Sequence, residues 1–165
     1  MLPEYLRNIV WCWSMSLKIN TFYVAESVGF IREFVPDNFI DLTVTSPPYD
    51  GLRKYKGYSF DFEPMADELY RVTKDGGVVV WIVNDATIDG DETGTSFRQA
   101  LYFKEIGFKL HDTMIWKKTN PFNFGSNYCY TQSFEYMFVF SKGKPKAINL
   151  IRDRPLKNAG KQFKQ

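Results

Sequence analysis

Apolar residues recur along this chain with two different periods. Val24, Val28 and Ile31, closed by Phe34 and Val35, have helical spacing on one face, and Pro36-Asp37-Asn38 ends the pattern. The period then changes to two. Ile40, Leu42 and Val44 fall on one face of a predicted strand, and Asp41, Thr43 and Thr45 fall on the other. Pro47 and Pro48 cannot continue a hydrogen-bonded ladder, so that strand is expected to stop at Ser46. A loop rich in Tyr, Gly and Lys fills 50–59. Asp61 is a candidate cap for the next helix, with Pro64 in its first turn and Met65, Leu69 and Val72 on its buried face. Asp75-Gly76-Gly77 reads as a turn into Val78-Val79-Val80-Trp81-Ile82-Val83. This run is apolar throughout, as expected of a strand buried on both faces.

A polar loop over 84–95 follows. Ser96 with Gln99 reads as a capping box, Phe97, Ala100, Leu101 and Ile106 as the apolar side of a third helix, and Gly107 as its stop. Strands are expected over 108–116 and, after a long loop, over 135–141, before the turn Lys142-Gly143-Lys144-Pro145. The order is helix, strand, helix, strand, helix, strand, strand. Such alternation predicts an α/β fold: mainly parallel strands with helices packed on them, closed by an antiparallel hairpin. Ligands of such sheets lie beyond the carboxyl ends of the strands. Ser46-Pro47-Pro48-Tyr49 and Asn84-Asp85 both fall there.

Composition changes this picture in a few places. The 165 residues suit one domain, and 44% hydrophobic content suffices for a core. The 18% of aromatic residues serves a core or stacks on bases. A net charge of +2 conceals an uneven distribution. Eight Lys or Arg stand against Asp153 alone over 142–165, which leaves −5 for the rest. A basic end fits contact with a polyanion, and equally a solvated tail. Cys12 and Cys129 imply neither a disulfide framework nor a zinc site, and His111 has no ligand partner at helical spacing. Asp85, Asp89, Asp91 and Glu92 match no calcium-loop spacing and read as a solvated acidic loop, so no metal is expected. The apolar run Ile9-Val10-Trp11-Cys12-Trp13 is too short to span a membrane. Residues 1–18 read as an N-terminal extension, and the expected setting is intracellular, in the cytoplasm.

The tetrapeptide Ser46-Pro47-Pro48-Tyr49 carries the chemistry. An exocyclic amine on a nucleobase is a poor nucleophile, because its lone pair is delocalised into the ring. Acceptors aimed at its N–H groups pull the nitrogen toward tetrahedral geometry and localise that pair. Proline removes backbone donors and restricts φ, so neighbouring carbonyls can face a ligand. The Ser46 hydroxyl and the Pro47 carbonyl are the acceptors, and Tyr49 is a ring able to lie flat on a flipped base. An ordinary strand-ending turn would use the same residues.

The sequence resembles a known family at these residues. Asp41-Leu42-Thr43-Val44-Thr45-Ser46-Pro47-Pro48-Tyr49-Asp50 is similar to the catalytic motif of S-adenosylmethionine-dependent DNA methyltransferases that modify cytosine N4 or adenine N6. Further stretches match that family in order: 68–81, Phe108-Lys109-Leu110 through Trp116-Lys117-Lys118 with Asn120-Pro121, and 134–143. The resemblance implies a catalytic set of Ser46, Pro47, Pro48 and Tyr49, with Ser46 and Pro47 also beside the methyl donor. It implies double-stranded DNA as partner, touched by Asp50, Arg53, Lys54, Tyr55, Phe122, Tyr128, Lys142 and Lys144. Phe124 and Tyr130 are further candidates for the pocket wall, and Tyr58 for the DNA backbone. Ser at the first motif position leans toward cytosine N4. A restriction-modification role follows for the family.

The glycine-rich turn with which this family holds its donor is not found. The expected fold is therefore a partial Rossmann-like methyltransferase sheet lacking its donor-binding half, in the motif order called beta class. The expected organisation is an extension (1–18), a catalytic region (19–145) and a basic tail opening a target-recognition region (146–165). The strand-forming stretch 40–45 is expected to expose an open edge, to be filled by a complementary donor-binding chain or by self-association. The alternative is an inactive remnant or split-enzyme piece that only binds DNA or a partner.

Overall fold

The computed structural model describes residues 17–48, 60–120 and 130–149. In chain order these form α1 (Ser27–Phe34), β1 (Ile40–Thr45), α2 (Phe62–Val72), β2 (Thr73–Val83), β3 (Thr87–Ile88), β4 (Asp91–Glu92), α3 (Thr95–Glu105), β5 (Lys109–Lys117) and β6 (Phe134–Ser141). The main sheet has the order β1-β2-β6-β5. β1 and β2 pair in parallel, while β6 pairs antiparallel with both β2 and β5. Three of the four strands therefore run the same way and β6 alone is reversed. The closing hairpin is β5–β6, and β6 inserts between β5 and β2.

The core lies between this sheet and the helices. Val79, Trp81 and Val83 of β2 and Phe138 and Phe140 of β6 pack against Met65, Ala66 and Leu69 of α2 and Ala100 and Phe103 of α3. α1 adds Val28 and Ile31 to the same cluster. Phe103 packs against Phe140 with tilted rings at 4.6 Å and meets Trp81 edge-on at 5.2 Å, so much of the aromatic content is core. The α1–α2 seam is polar and paired. Glu68 accepts from Arg32 Nε and Arg71 Nε, each at 2.8 Å, and Arg71 also donates to the Ile31 and Val35 carbonyls at the end of α1.

The opposite face of the sheet carries Leu42 and Val44 of β1, Val78, Val80 and Ile82 of β2, Met137 and Val139 of β6, and Met114 and Trp116 of β5. No helix among the described residues covers it. Val44 is 60% exposed, Leu42 58% and Trp116 50%. The expectation that 78–83 is buried on both faces is thus corrected: alternate residues are buried and half-buried.

Several local expectations change as well. Val24 lies before α1 and is exposed, since the helix starts only at Ser27. Asp75-Gly76-Gly77 does not precede β2 but forms an excursion within it. The register passes from Ile40↔Thr73 to Leu42↔Val78, and Gly76 takes φ +77°. A Cβ on Gly76 would meet the Lys146 side chain at 2.5 Å, which explains the glycine. Asp61 does stand at the N-cap of α2, though its side chain makes no cap hydrogen bond. The loop over 84–95 contains the hairpin β3–β4, turned by Asp89 and Gly90, both at positive φ. Ser96 and Gln99 form no capping box: both are buried inside α3, whose N-cap is Gly94. Phe97 and Leu101 are exposed, so the buried face of α3 is rotated from the one expected.

Candidate active site

The carboxyl ends of β1, β2 and β5 and the start of β6 meet at one edge of the sheet. There β1 delivers Ser46, Pro47 and Pro48; Ser46 is exposed, Pro47 buried and Pro48 half-buried. The strand pairs with β2 as far as Thr45↔Trp81, and the prolines then end it. The two prolines contribute no backbone N–H at this edge. Tyr49, Asp50, Arg53, Lys54, Tyr55, Tyr58, Phe122, Phe124, Tyr128 and both cysteines lie outside the described residues.

β2 delivers Asn84 and Asp85. Asp85, expected in a solvated loop, is instead buried at 2% exposure. Its carboxylate accepts from Ser96 N–H at 2.8 Å, from the Ser96 hydroxyl at 2.5 Å and from the Thr93 hydroxyl at 3.4 Å. These bonds pin the loop after β2 to the first turn of α3. Asp89, Asp91 and Glu92 are exposed, in keeping with solvation. Asn84 Nδ2 donates to Gln132 Oε1 at 3.0 Å, while Asn84 Oδ1 is buried without a hydrogen-bond partner. Sequence reasoning does not single out Gln132 or this orphaned carbonyl, because nothing in a lone glutamine before a strand marks it.

β5 and β6 complete the edge. Lys118 follows β5 and pairs with the buried carboxylate of Glu135, and its backbone N–H donates to the Ser133 carbonyl at 2.8 Å. Tyr130 is fully exposed at this end. Tyr136 stacks in parallel with Phe138 at 5.5 Å and meets Phe97 edge-on at 5.2 Å. Burial pushes the Tyr136 phenol up, and the charges of Asp85 and Glu92 push it further.

Of the three lysines expected at DNA, Lys142 and Lys144 are not brought to this edge. Lys142 sits by Gly76 and Gly77 at the other end of β2. Its ammonium donates to Asn38 Oδ1 and the Tyr70 carbonyl, each at 2.9 Å, and lies over the Tyr70 ring. That is a structural set of partners. Lys144 is exposed nearby. His111 lies at the irregularity in β5, 3.7 Å from Asp112, and no group able to hold a metal occurs among the described residues. No helix among them is long and apolar enough to cross a membrane.

Comparison with known proteins follows this geometry. Residues 40–165 match the sequence profile described as DNA methylase. The chain is 66% identical over 124 residues to the orphan methyltransferase M.BamHII of Bacillus amyloliquefaciens, covering 75% of this chain and 46% of that protein. It is 29% identical over 167 residues to the type II methyltransferase M.MthZI of Methanothermobacter thermautotrophicus, covering 77% and 46%. The chain thus spans about half the length of these relatives. Among solved structures, the cytosine-N4-specific PvuII DNA methyltransferase aligns with a TM-score of 0.62 at 22% identity, over 75% of this chain and 50% of that one. A DNA modification methylase from Thermus thermophilus, complexed with S-adenosyl-L-methionine, aligns at 0.58 and 19%, over 79% and 55%. These likenesses show a shared fold.

Proposed function

The chain belongs to the DNA methylase family, and from that premise we propose that it is the catalytic segment of a site-specific DNA methyltransferase, acting on cytosine N4 in preference to adenine N6. The observation that carries this reading is the Ser46-Pro47-Pro48 turn at the carboxyl end of β1, at the edge where four strands end or begin. In this reading the Ser46 hydroxyl and Pro47 carbonyl accept from the target amine. Drawing its hydrogens out of the base plane localises the nitrogen lone pair, and holding the amine still supplies the positioning part of catalysis. Tyr49 stacks on the flipped base.

The methyl donor of this family, S-adenosylmethionine, supplies an electrophilic methyl group. Among the described residues nothing forms its cradle. Glycines at positive φ stand at 76, 90, 94, 107 and 143, and none follows β1. The residues of this chain nearest the donor in this reading are Ser46 and Pro47. The remaining contacts come from polypeptide packed beside β1. Two features support that completion: an edge of β1 that no described strand pairs, and the apolar face starting at Leu42 and Val44 that no described helix covers. A complementary donor-binding polypeptide would add strands at this edge and bury that face.

The test is transfer of labelled methyl from S-adenosylmethionine to unmethylated DNA of mixed sequence, followed by digestion to nucleosides. Label in N4-methylcytosine that disappears in Tyr49→Ala supports the reading. Label only in N6-methyladenine overturns the cytosine preference. If the chain is silent, a polypeptide equivalent to the part of M.BamHII that this chain does not span is added. Silence then as well overturns the proposal.

A further inference from the structure

Asn84 leaves β2 beside Asp85, but the two residues differ in their commitments. Asp85 has both carboxylate oxygens engaged by Ser96 and Thr93. Asn84 has one amide hydrogen engaged, by Gln132 Oε1 at 3.0 Å, and a buried carbonyl engaged by nothing. A native fold rarely leaves a buried carbonyl unpaired, because the lost hydration is not replaced, and such an atom calls for a ligand. The residue as a whole is only half-buried, and a ligand reaches the covered carbonyl by displacing what lies over it.

Its place in the sheet indicates which ligand. The parallel register ends at Thr45↔Trp81, so the segment Ser46-Pro47-Pro48 leaves the sheet alongside the residues that lead to Asn84. The free capacity of Asn84 is one carbonyl acceptor and one N–H donor on a single planar group. The Watson–Crick edge of cytosine offers the complement, an N4–H donor beside the N3 acceptor. Adenine offers the same through N6–H and N1. Uracil and thymine reverse the order of donor and acceptor. An amide free to rotate would suit either. Rotation of Asn84 alone would turn its carbonyl against the Gln132 carbonyl oxygen, so the orientation of Gln132 favours that of Asn84.

We propose that Asn84, oriented by Gln132, reads the Watson–Crick edge of the flipped base and selects amino bases over keto bases. The inference rests on the methyltransferase reading of the Ser46 turn and adds a specificity residue to it. The amine hydrogen beside the ring nitrogen goes to Asn84 Oδ1, and the other goes to the Ser46–Pro47 turn. Asn84 touches the base, whereas Gln132 is a positioning residue. Asparagine pairs in this bidentate way with adenine edges in DNA grooves, and such a pair discriminates by about ten-fold or more.

Deoxycytidine and deoxyuridine differ only in this edge, which makes them the probes. Amide NMR of the full chain follows two signals, the Asn84 side-chain NH2, assigned by its absence in Asn84→Ala, and the Ser46 backbone N–H. Deoxycytidine is expected to shift both, with deoxyuridine binding about ten-fold more weakly. In Gln132→Leu the amide can rotate, and the preference for deoxycytidine should collapse while the Ser46 response persists. A Ser46 shift without an Asn84 shift, or equal binding of the two nucleosides by the unaltered chain, overturns the role of Asn84 and leaves the base pocket standing. No shift of either signal with any nucleoside overturns both.

Discussion

Asp85 and Ser96 are joined by two hydrogen bonds, one from the Ser96 backbone N–H at 2.8 Å and one from its hydroxyl at 2.5 Å. Eleven residues apart in the chain, they close the loop that leaves β2 onto the start of α3. Asn84 is the residue just before that closure, so the bond pair holds the proposed base-reading amide in place. Asp85→Ala should destabilise the chain by about 1–3 kcal/mol, because it leaves the Ser96 donors buried and unpaired. Chemical denaturation measures this. An unchanged midpoint would mean that the loop is held by other contacts.

Glu68 predicts an acid-side loss of stability. Burial pushes its carboxyl up, but hydrogen bonds from Arg32 and Arg71, and then their charges, outweigh burial and hold it below the ordinary glutamate value. A folded-state value below the unfolded one stabilises the fold above the unfolded value. That stability is lost as pH falls through the depressed folded value. The thermal midpoint should therefore decline as pH drops below about 4.3. Glu68→Gln should lower stability at neutral pH by about 2 kcal/mol and flatten the acid limb. A variant with the same acid limb as the unaltered chain would assign the pH dependence elsewhere.

The bare face and the β1 edge predict self-association. Val44 and Leu42 lie on an edge strand whose outer backbone groups have no ladder partner among the described residues. A lysine there blunts an edge without entering the core. Val44→Lys should leave the unfolding midpoint within about 0.5 kcal/mol and raise the monomer fraction in sedimentation at increasing concentration. A large loss of stability would show that Val44 is packed rather than exposed.

In the methyl-transfer assay, Ser46→Ala should reduce turnover more than it weakens DNA binding. It removes one acceptor on the amine and leaves the charge unchanged. A fall of about ten- to hundred-fold in kcat with little change in KM is expected, as for an interaction made chiefly in the transition state. Equal losses in DNA affinity and in rate would make Ser46 a docking residue instead.

Much of this fold is legible along the chain because its signals are local. The period-two stretch over 40–45 and the proline pair behind it mark β1 and its end without reference to anything distant. The third helix is also visible there, but its face is not. Ser96 and Gln99 read as a surface cap because polar residues belong in water. Asp85 and the Trp81 indole, which donates to Gln99 Oε1 at 2.8 Å, make them core residues instead. Those partners are contributed by β2 and by the loop behind it, and no window around α3 contains them.

The sequence by itself determined the α/β class, the order of the main helices and strands, and the Ser46-Pro47-Pro48 turn at the end of a strand, and its resemblance named the family. The elements and the turn follow from residue type and short spacing. Only the tertiary structure decided that β6 enters between β2 and β5, and that Lys142 is tied to Asn38 and Tyr70 at the far end of the sheet from Ser46. It alone decided that the Val78–Val83 run is covered on one side, and that Asn84 and Gln132 meet at the carboxyl end of β2. The physical reason is that strand pairing and side-chain satisfaction join residues tens of positions apart. Hydrophobic periodicity says which face of an element wants cover, and only the assembled sheet says whether it receives any.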